Sequence, residues 1–291
     1  MAGNVDVTRI AGNIGALNAL NSLAYVNQNL AMHQTRLATG KRINYAYEDP
    51  AGLNLATTFD VRRQGLEVVL KAMGDANNLL SNMEGGLRKI QDILVKMRAK
   101  TLEAIGDTIG TAEREAVSAQ LKDYAAEIDQ IVSQTQWNNK LLLSGSAGWG
   151  ADQLYFLVDS DGGSVGFKFS ANAGGSAGFN VAYLNSQLTG ASVAVSDSAM
   201  ARAYMNVIED ALNKVRRGVM DVGSFQARLM FKEETLKVQY TNTESAYNRI
   251  MNANMAQEQV EASKFAILQQ TATAMLAQAN VAPQFILSLF R

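Results

Sequence analysis

Few side chains in this sequence could do chemistry. The chain has one histidine, His33, and no cysteine. Disulfides, thiol catalysis and thiolate metal sites are therefore excluded. A catalytic base at position 33 would need acidic or nucleophilic partners. Because His33 stands in a stretch almost free of charge, we expect a packed or interface histidine instead.

Two further patterns could bind ligands, and both are weak. Glu48 and Asp49 form one carboxylate pair without further oxygen ligands at loop spacing, which is a poor cation site. Two glycine-rich stretches, residues 145–150 and 159–166, lack the Gly-Lys-Ser/Thr of a phosphate loop and are better explained as turns. The sequence therefore predicts a chain that is not an enzyme and has neither a metal nor a cofactor.

The overall charge excludes other classes of function. With 26 basic and 27 acidic residues, nothing steers the chain toward nucleic acid or anionic lipid. The C-terminal uncharged stretch is interrupted by glutamine and asparagine, so it does not predict a membrane helix. The sequence opens without a charged-then-apolar leader, and we expect no conventional secretory signal.

Both ends of the chain are poor in charge but carry the apolar spacing of amphipathic helices. No charged residue occurs between Phe265 and Phe290. An isolated helix normally carries solvated charge on its outer face, so bare ends indicate helices covered by each other and by other copies of the chain. Asn27, Gln34 and Gln269 fill gaps in the pattern and are expected to fix helix register. With Asn27, Gln34, Glu258 and Gln269 in the gaps, the apolar positions step by three and four: Ala16, Leu20, Leu23, Leu30 and Leu37 near the N-terminus, and Met251, Met255, Ala262, Phe265, Ala272 and Leu276 near the C-terminus.

The middle of the chain predicts long helices around a small β insert. The apolar repeat is unbroken from Leu66 to Met97, a second stripe follows Gly110, and a third helix runs from about Ser198 to Tyr247 or beyond. Residues 154–158 and 165–169 predict a β-hairpin, and residues 179–184 and 191–195 could add strands. We expect a mainly α fold: a long antiparallel helical rod with coiled-coil-like packing, paired terminal helices and a β-hairpin insert at the tip. The stripe of the second helix is Val117, Leu121, Tyr124, Ile128 and Ile131.

Several segments resemble a known family. Residues 36–44 (RLATGKRIN) and 48–53 (EDPAGL) closely resemble the N-terminal signature of bacterial flagellins, as do residues 134–138 (QTQWN). Residues 274–280 (AMLAQAN), followed by Pro283-Gln284, resemble the flagellin C-terminus. The resemblance covers both helical arms, with the motifs in the family's order.

The resemblance implies a structural subunit that polymerises into the extracellular flagellar filament, with an export chaperone, cap and junction proteins as partners. Residues 1–45 and 251–291 would form an inner tube, residues 46–140 and 198–250 an outer tube, and residues 141–197 the insert. An irregular spoke between the tubes would include Arg42, Asn44, Glu48, Asp49 and Pro50. The inner-tube polymerisation interface would include Leu20, Leu23, Leu30, Leu37, Phe265, Leu268, Ala272, Leu276, Leu287 and Leu289.

The resemblance also implies a diverged recognition segment. The stretch that begins at Lys96 aligns with the part of flagellins recognised by an animal innate receptor, and this chain differs at Lys96, Lys100 and Gln120. We therefore expect a poor agonist. A hook–filament junction protein, which shares the terminal helices, is the alternative; a type III translocator is a third possibility, disfavoured by the end motifs.

Overall fold

The structure is a computed structural model that describes residues 13–143, 154–167, 188 and 195–289, with side chains as far as residue 281. It consists mainly of helices, which confirms the predicted fold class. The helices are α1 (Ile14–Thr39), α2 (Pro50–Ile105), α3 (Thr111–Gln134), α4 (Ser198–Met251) and α5 (Met255–Leu289). The strands are β1 (Gln136–Trp137), β2 (Lys140–Leu141), β3 (Leu154–Leu157) and β4 (Ser164–Phe167).

The chain divides into two compact units. Unit 1 comprises the residues up to 63 and those from 241 onward, and unit 2 comprises residues 64–240. The helices α2 and α4 contribute residues to both units. Each unit has its own apolar core.

The core of unit 2 follows the unbroken apolar repeat of α2. Every predicted seam position from Leu66 to Met97 is buried, and so are the apolar positions of the seam predicted on α4 from Tyr204 to Leu236. Lys232, which also falls on that seam, is exposed. The two helices run antiparallel, since Asn77 contacts Glu233 and Arg98 contacts Glu209. The local apolar spacing therefore predicts correctly which faces of the two helices are buried.

The helix α3 also runs antiparallel to α2, but the stripe predicted for it is only partly right. Its start and end reach opposite parts of α2: Arg114 bonds the carbonyl of Ala104, and Asn82 bonds that of Gln136. The structure buries Leu121 and Ile128 as predicted. The other three predicted positions, Val117, Tyr124 and Ile131, are half-buried, and the helix is rotated so that its fully buried face is Ser118, Leu121, Ala125, Ile128 and Val132.

The predicted β-hairpin is present as β3 paired antiparallel with β4. It packs on α4, where Phe156 and Phe167 each lie against Phe225 at ring-centroid distances of 5.6 and 5.0 Å. The further strands predicted at residues 179–184 and 191–195 lie outside the described residues, apart from Val195, which is buried and not in a strand.

The structure adds a second, smaller hairpin that we did not predict, formed by β1 and β2. Its two turn residues, Asn138 and Asn139, have φ of 49° and 61°. Asparagine tolerates this left-handed region better than most residues, and two such residues in succession make the tight turn that joins twisted strands. The Asn-Asn pair was thus the available sequence signal.

Within the described residues, no helix is both long enough and apolar enough to cross a membrane.

Candidate functional site

The terminal helices α1 and α5 form an antiparallel pair in unit 1. Near one end, Asn13 Nδ2 donates to the carbonyl oxygen of Ala279 over 2.8 Å. Further along, Gln269 Nε2 donates to Asn27 Oδ1 over 2.8 Å. The chain therefore brings its two charge-poor ends together, as the sequence pattern predicts.

Local signals position α1 within this pair. Asn13 caps its N-terminus by accepting from the backbone N–H of Ala16. Gly40 ends the helix with φ of 70°, the left-handed conformation that glycine adopts without strain, and its N–H bonds the carbonyl of Arg36. The helix start and stop are thus set by residues within or directly beside it.

The face that α5 turns toward α1 is the predicted one. It carries a mixture of apolar and polar side chains at alternating spacings of four and three, all buried or half-buried: Glu258, Ala262, Phe265, Gln269, Ala272 and Leu276. Met255, which we also placed on this stripe, is exposed. It is the first residue of the helix.

The buried face of α1 is rotated from the predicted one. Leu20 is 52% exposed, and Asn27 and Gln34 are exposed too. Val26 and His33 are buried in their place. The contact face is therefore Ala16, Ala19, Leu23, Val26, Leu30, His33 and Leu37. Asn27 still reaches α5 through its bond to Gln269, but from the edge of the contact.

The predicted interface residues consequently fall into different groups. Six pack within the pair of helices of a single chain, namely Leu23, Leu30, Leu37, Phe265, Ala272 and Leu276. Leu20 and Leu268 remain exposed. The side chains of Leu287 and Leu289 lie outside those the structure describes.

Other large apolar side chains point away from the pair. They lie on the outward faces of both helices and are exposed: Ile14, Leu17, Leu20 and Tyr25 on α1, and Val260, Ile267, Leu268, Met275 and Val281 on α5. Scattered exposed apolar residues are normal, but nine large ones on two helices that carry almost no charge indicate an interaction surface. We call these nine residues the outward apolar set.

A buried polar cluster lies between α1 and α5, near the end of the pair where α1 ends and α5 begins. His33 Nδ1 lies 2.5 Å from Glu258 Oε2, and the imidazole stacks on Phe265 with ring centroids 5.3 Å apart. Arg36 lies between two carboxylates, 3.5 Å from Glu258 and 3.7 Å from Glu48. The expectation of a packed histidine agrees with this arrangement, but its acidic partner was not anticipated. The cluster thus brings one imidazole and one guanidinium against two carboxylates.

The predicted spoke residues lie just beyond this cluster and are well ordered by hydrogen bonds. Arg42 lies 3.7 Å from Asp49. Asp49 Oδ1 accepts from the N–H of Gly52, so Asp49 caps α2 and Pro50 takes the first helical position. Glu48 accepts from the N–H of Asn44.

The same segment pairs with the turn between α4 and α5, a contact that the sequence did not reveal. Lys41 and Asn252 form an isolated antiparallel bridge, and the N–H of Arg42 bonds the carbonyl of Met251 over 2.6 Å. The N–H of Ala253 bonds the carbonyl of Gly40 over 3.0 Å. These backbone bonds join residues far apart in sequence, so no local pattern could predict them.

A second ion pair in unit 1 joins α2 to α4. Arg63 donates to Glu244 over 3.0 Å and to Asp60 over 2.7 Å, and its guanidinium lies 5.2 Å from the ring centre of Tyr247. The hydrogen bond to Glu244 is the main cause that raises the pKa of Arg63. This charged contact was not among the predicted site residues.

The residues of the recognition segment lie on unit 2. Lys96 on α2 and Gln120 on α3 are exposed. Lys100 donates to Glu103 over 2.9 Å, and this hydrogen bond raises the pKa of Lys100. Within the described residues, no group of His, Asp and Glu side chains is arranged to hold a metal ion.

Taken together, these features define a class of protein: a mainly helical chain with antiparallel terminal helices whose outward faces carry exposed apolar side chains. Comparison with known proteins gives the family. A model of the bacterial flagellin N-terminal helical region matches residues 10–148, and one of the flagellin C-terminal helical region matches residues 205–290.

Individual relatives agree with the family models over nearly the whole chain. A flagellin of Listeria monocytogenes is 28% identical over 283 residues, which cover 97% of this chain and 99% of the relative. A flagellin of Bacillus subtilis is 29% identical over 306 residues, with coverage of 97% and 100%. This chain belongs to the bacterial flagellin family. It is a filament subunit, in a family of structural proteins whose filament is extracellular.

A solved structure named for a flagellar hook-associated protein, from Vibrio parahaemolyticus, overlaps with a TM-score of 0.56. The overlap covers 70% of this chain and all of the other, at 16% identity. A likeness at this identity concerns the fold alone. It therefore does not favour the junction-protein alternative over the filament subunit.

Proposed function

We propose that α1 and α5 build the inner tube of the filament, within residues 1–45 and 251–291. Residues 46–140 and 198–250 form the surrounding outer tube, and residues 141–197 lie at its outer edge. The observation that carries this proposal is the outward apolar set, which a single chain leaves in water on helices that have almost no charge to solvate them.

The interface residues then act in two ways. Leu23, Leu30, Phe265 and Leu276 hold the two helices of one subunit together. Leu20, Leu268 and the rest of the outward apolar set contact neighbouring subunits, and we assign Leu287 and Leu289 to the same tube. Burial of each large side chain contributes about 1.5–3 kcal/mol, so the nine outward residues supply a substantial drive for assembly.

The same residues favour disorder of the terminal helices in a dilute monomer. Ordering a residue costs about 1–2 kcal/mol of backbone entropy. Four of the thirteen side chains in the contact between α1 and α5 are alanines, so a lone pair gains limited apolar burial. In the filament, burial against neighbouring subunits on several sides outweighs this loss of backbone entropy. A subunit with unfolded ends also suits passage through a narrow export channel.

Further partners and roles follow from family membership. We infer that an export chaperone covers a terminal helix before assembly, and that cap and junction proteins contact the ends of the filament. The segment from Arg42 to Pro50 acts as the spoke between the two tubes. The protein works by self-assembly without catalysis, nucleic-acid binding or membrane insertion.

The experiment is a pair of substitutions at one outward position. Ile267 is 64% exposed on α5. The Ile267→Glu variant should lose filament growth, because assembly would bury an unpaired carboxylate. The matched Ile267→Val variant keeps an apolar side chain and should polymerise. Sedimentation and electron microscopy of the purified proteins measure the outcome, and normal filaments from Ile267→Glu would contradict the proposal.

A further inference from the structure

The outward face of α4 in unit 2 carries apolar side chains that no described residue covers. Met220 is 71% exposed and Phe231 is 72% exposed. Phe231 borders a shallow depression of about 430 Å³, whose lining also includes Ser224, Arg228 and Lys232. Phe231 is thus a large aromatic ring at the edge of an open hollow, as interface anchors often are.

This face is also basic. Between residues 214 and 232, α4 carries five basic residues and one acidic residue. Arg217, Arg228 and Lys232 have no carboxylate within ion-pair distance among the described residues, whereas neighbouring bases such as Lys214 and Lys237 are paired within α4 itself. We call Arg217, Met220, Arg228, Phe231 and Lys232 the basic-aromatic face.

The complementary surface lies on α3 of the same unit. This helix carries five acidic residues against two basic ones. Asp123 and Glu127 are exposed, and neither lies within ion-pair distance of a base in the described part of the chain. Ala119 and Ala126 lie beside them and are exposed as well. Their small side chains leave room for a bulky ring. We call these four residues the acidic face.

The two faces cannot satisfy each other within one subunit, since both are exposed in the same folded chain. We propose that the basic-aromatic face of one subunit docks on the acidic face of α3 in a second copy. The inference rests on the proposed function and names the surfaces through which the outer tube is built. Because the surfaces differ, the contact is head-to-tail, which is the kind of contact that builds an open filament when its rotation does not close.

The parts of the contact have different tasks. Phe231 and Met220 lose their exposure against Ala119 and Ala126 and supply most of the affinity. Arg228 and Lys232 face Asp123 and Glu127 and select which faces meet, since like charges would oppose one another if the same face of two copies came together.

Charge reversal with rescue tests the proposal. Arg228→Glu and Glu127→Arg should each raise the critical concentration for filament growth by about tenfold or more, because each places like charges opposite one another. The double variant restores opposite charges and should return to within about threefold of the unaltered protein. Lys89→Glu makes the same charge change at an exposed position of α2 and should leave growth unchanged.

A control measurement first establishes that the variants are folded. Far-UV circular dichroism and thermal melting should be alike for all variants, since the substituted side chains are exposed. Wild-type growth of both single variants would mean that these faces meet something other than a second copy, and would overturn the proposal. A double variant as defective as the single variants would also overturn it. If the unaltered protein forms no filaments, the proposed function itself fails.

Discussion

His33 and Glu258 are 225 residues apart in sequence, yet His33 Nδ1 lies 2.5 Å from Glu258 Oε2 inside the terminal helix pair. The contact also involves Arg36, which bridges Glu258 and Glu48. The imidazole and both carboxylates are mostly buried. Buried charges are costly unless paired, so this cluster sets the register in which α1 and α5 can meet.

Loss of one member of this cluster should weaken the pair of helices. We expect Glu258→Ala to destabilise the assembled filament by about 1–3 kcal/mol per subunit, because it leaves the buried imidazole of His33 without its partner and the guanidinium of Arg36 with Glu48 alone. Glu258→Gln should cost less, since the amide oxygen still accepts a hydrogen bond. Thermal depolymerisation, followed by light scattering, measures both.

A surface ion pair on the same helix provides the control. Glu261 contacts Lys264 at 3.1 Å near the surface, so Glu261→Ala should change filament stability by at most about 0.5 kcal/mol. If Glu261→Ala destabilised the filament as much as Glu258→Ala, loss of any carboxylate on α5 would lower filament stability. The buried cluster would then not be what stabilises the pair of helices.

The rotated face of α1 leads to a second prediction. Val26 is buried against α5, whereas Asn27 lies at the edge of the contact. Val26→Asn should therefore destabilise the filament more than Asn27→Val does, by about 1–2 kcal/mol, because it buries an amide without a partner. Depolymerisation temperatures of the two variants test the order. The reverse order would restore the face that the sequence pattern predicts.

Two adjacent glycines in α2 should respond in opposite ways to alanine. A Cβ added at Gly85 meets nothing within 4 Å, whereas one at Gly86 would lie 2.7 Å from Thr135 Oγ1 and 3.1 Å from Leu143 Cδ1. Gly85→Ala should raise the free energy of unfolding by about 0.5–1 kcal/mol through helix propensity. Gly86→Ala should lower it by about 1–3 kcal/mol through overpacking.

Urea denaturation of the monomer measures both glycine variants under the same conditions. Thr135 is buried and bonds the carbonyl of Ile131, so it cannot move aside cheaply. A Gly86→Ala variant as stable as Gly85→Ala would mean that the α2 contact with the segment after α3 is looser than the structure has it.

The diverged recognition segment predicts weak signalling through the animal innate receptor for flagellin. By the resemblance, flagellins that the receptor recognises carry Arg where this chain has Lys96, Leu where it has Lys100, and Glu near Gln120. The purified monomer should activate receptor-expressing reporter cells poorly, and the triple substitution to those family residues should raise activation. Robust activation by the unaltered monomer would refute the prediction, and cells without the receptor provide the control.

The sequence alone determined the elements that depend on continuous apolar stripes. The seam from Leu66 to Met97 and its partner on α4 were predicted correctly, because each stripe is almost purely apolar and has one way to be buried. The β3–β4 hairpin and the family motifs were likewise readable from neighbouring residues.

Only the tertiary structure decided which face of α1 is buried. Alanines, amides and leucines are spread around that helix, so the free-energy difference between adjacent faces is small and depends on its partner. Glu258 and Phe265 on α5 favour the observed face of α1, because they provide a carboxylate and an aromatic ring for His33. Such a choice is made between residues distant in sequence, and no local spacing encodes it.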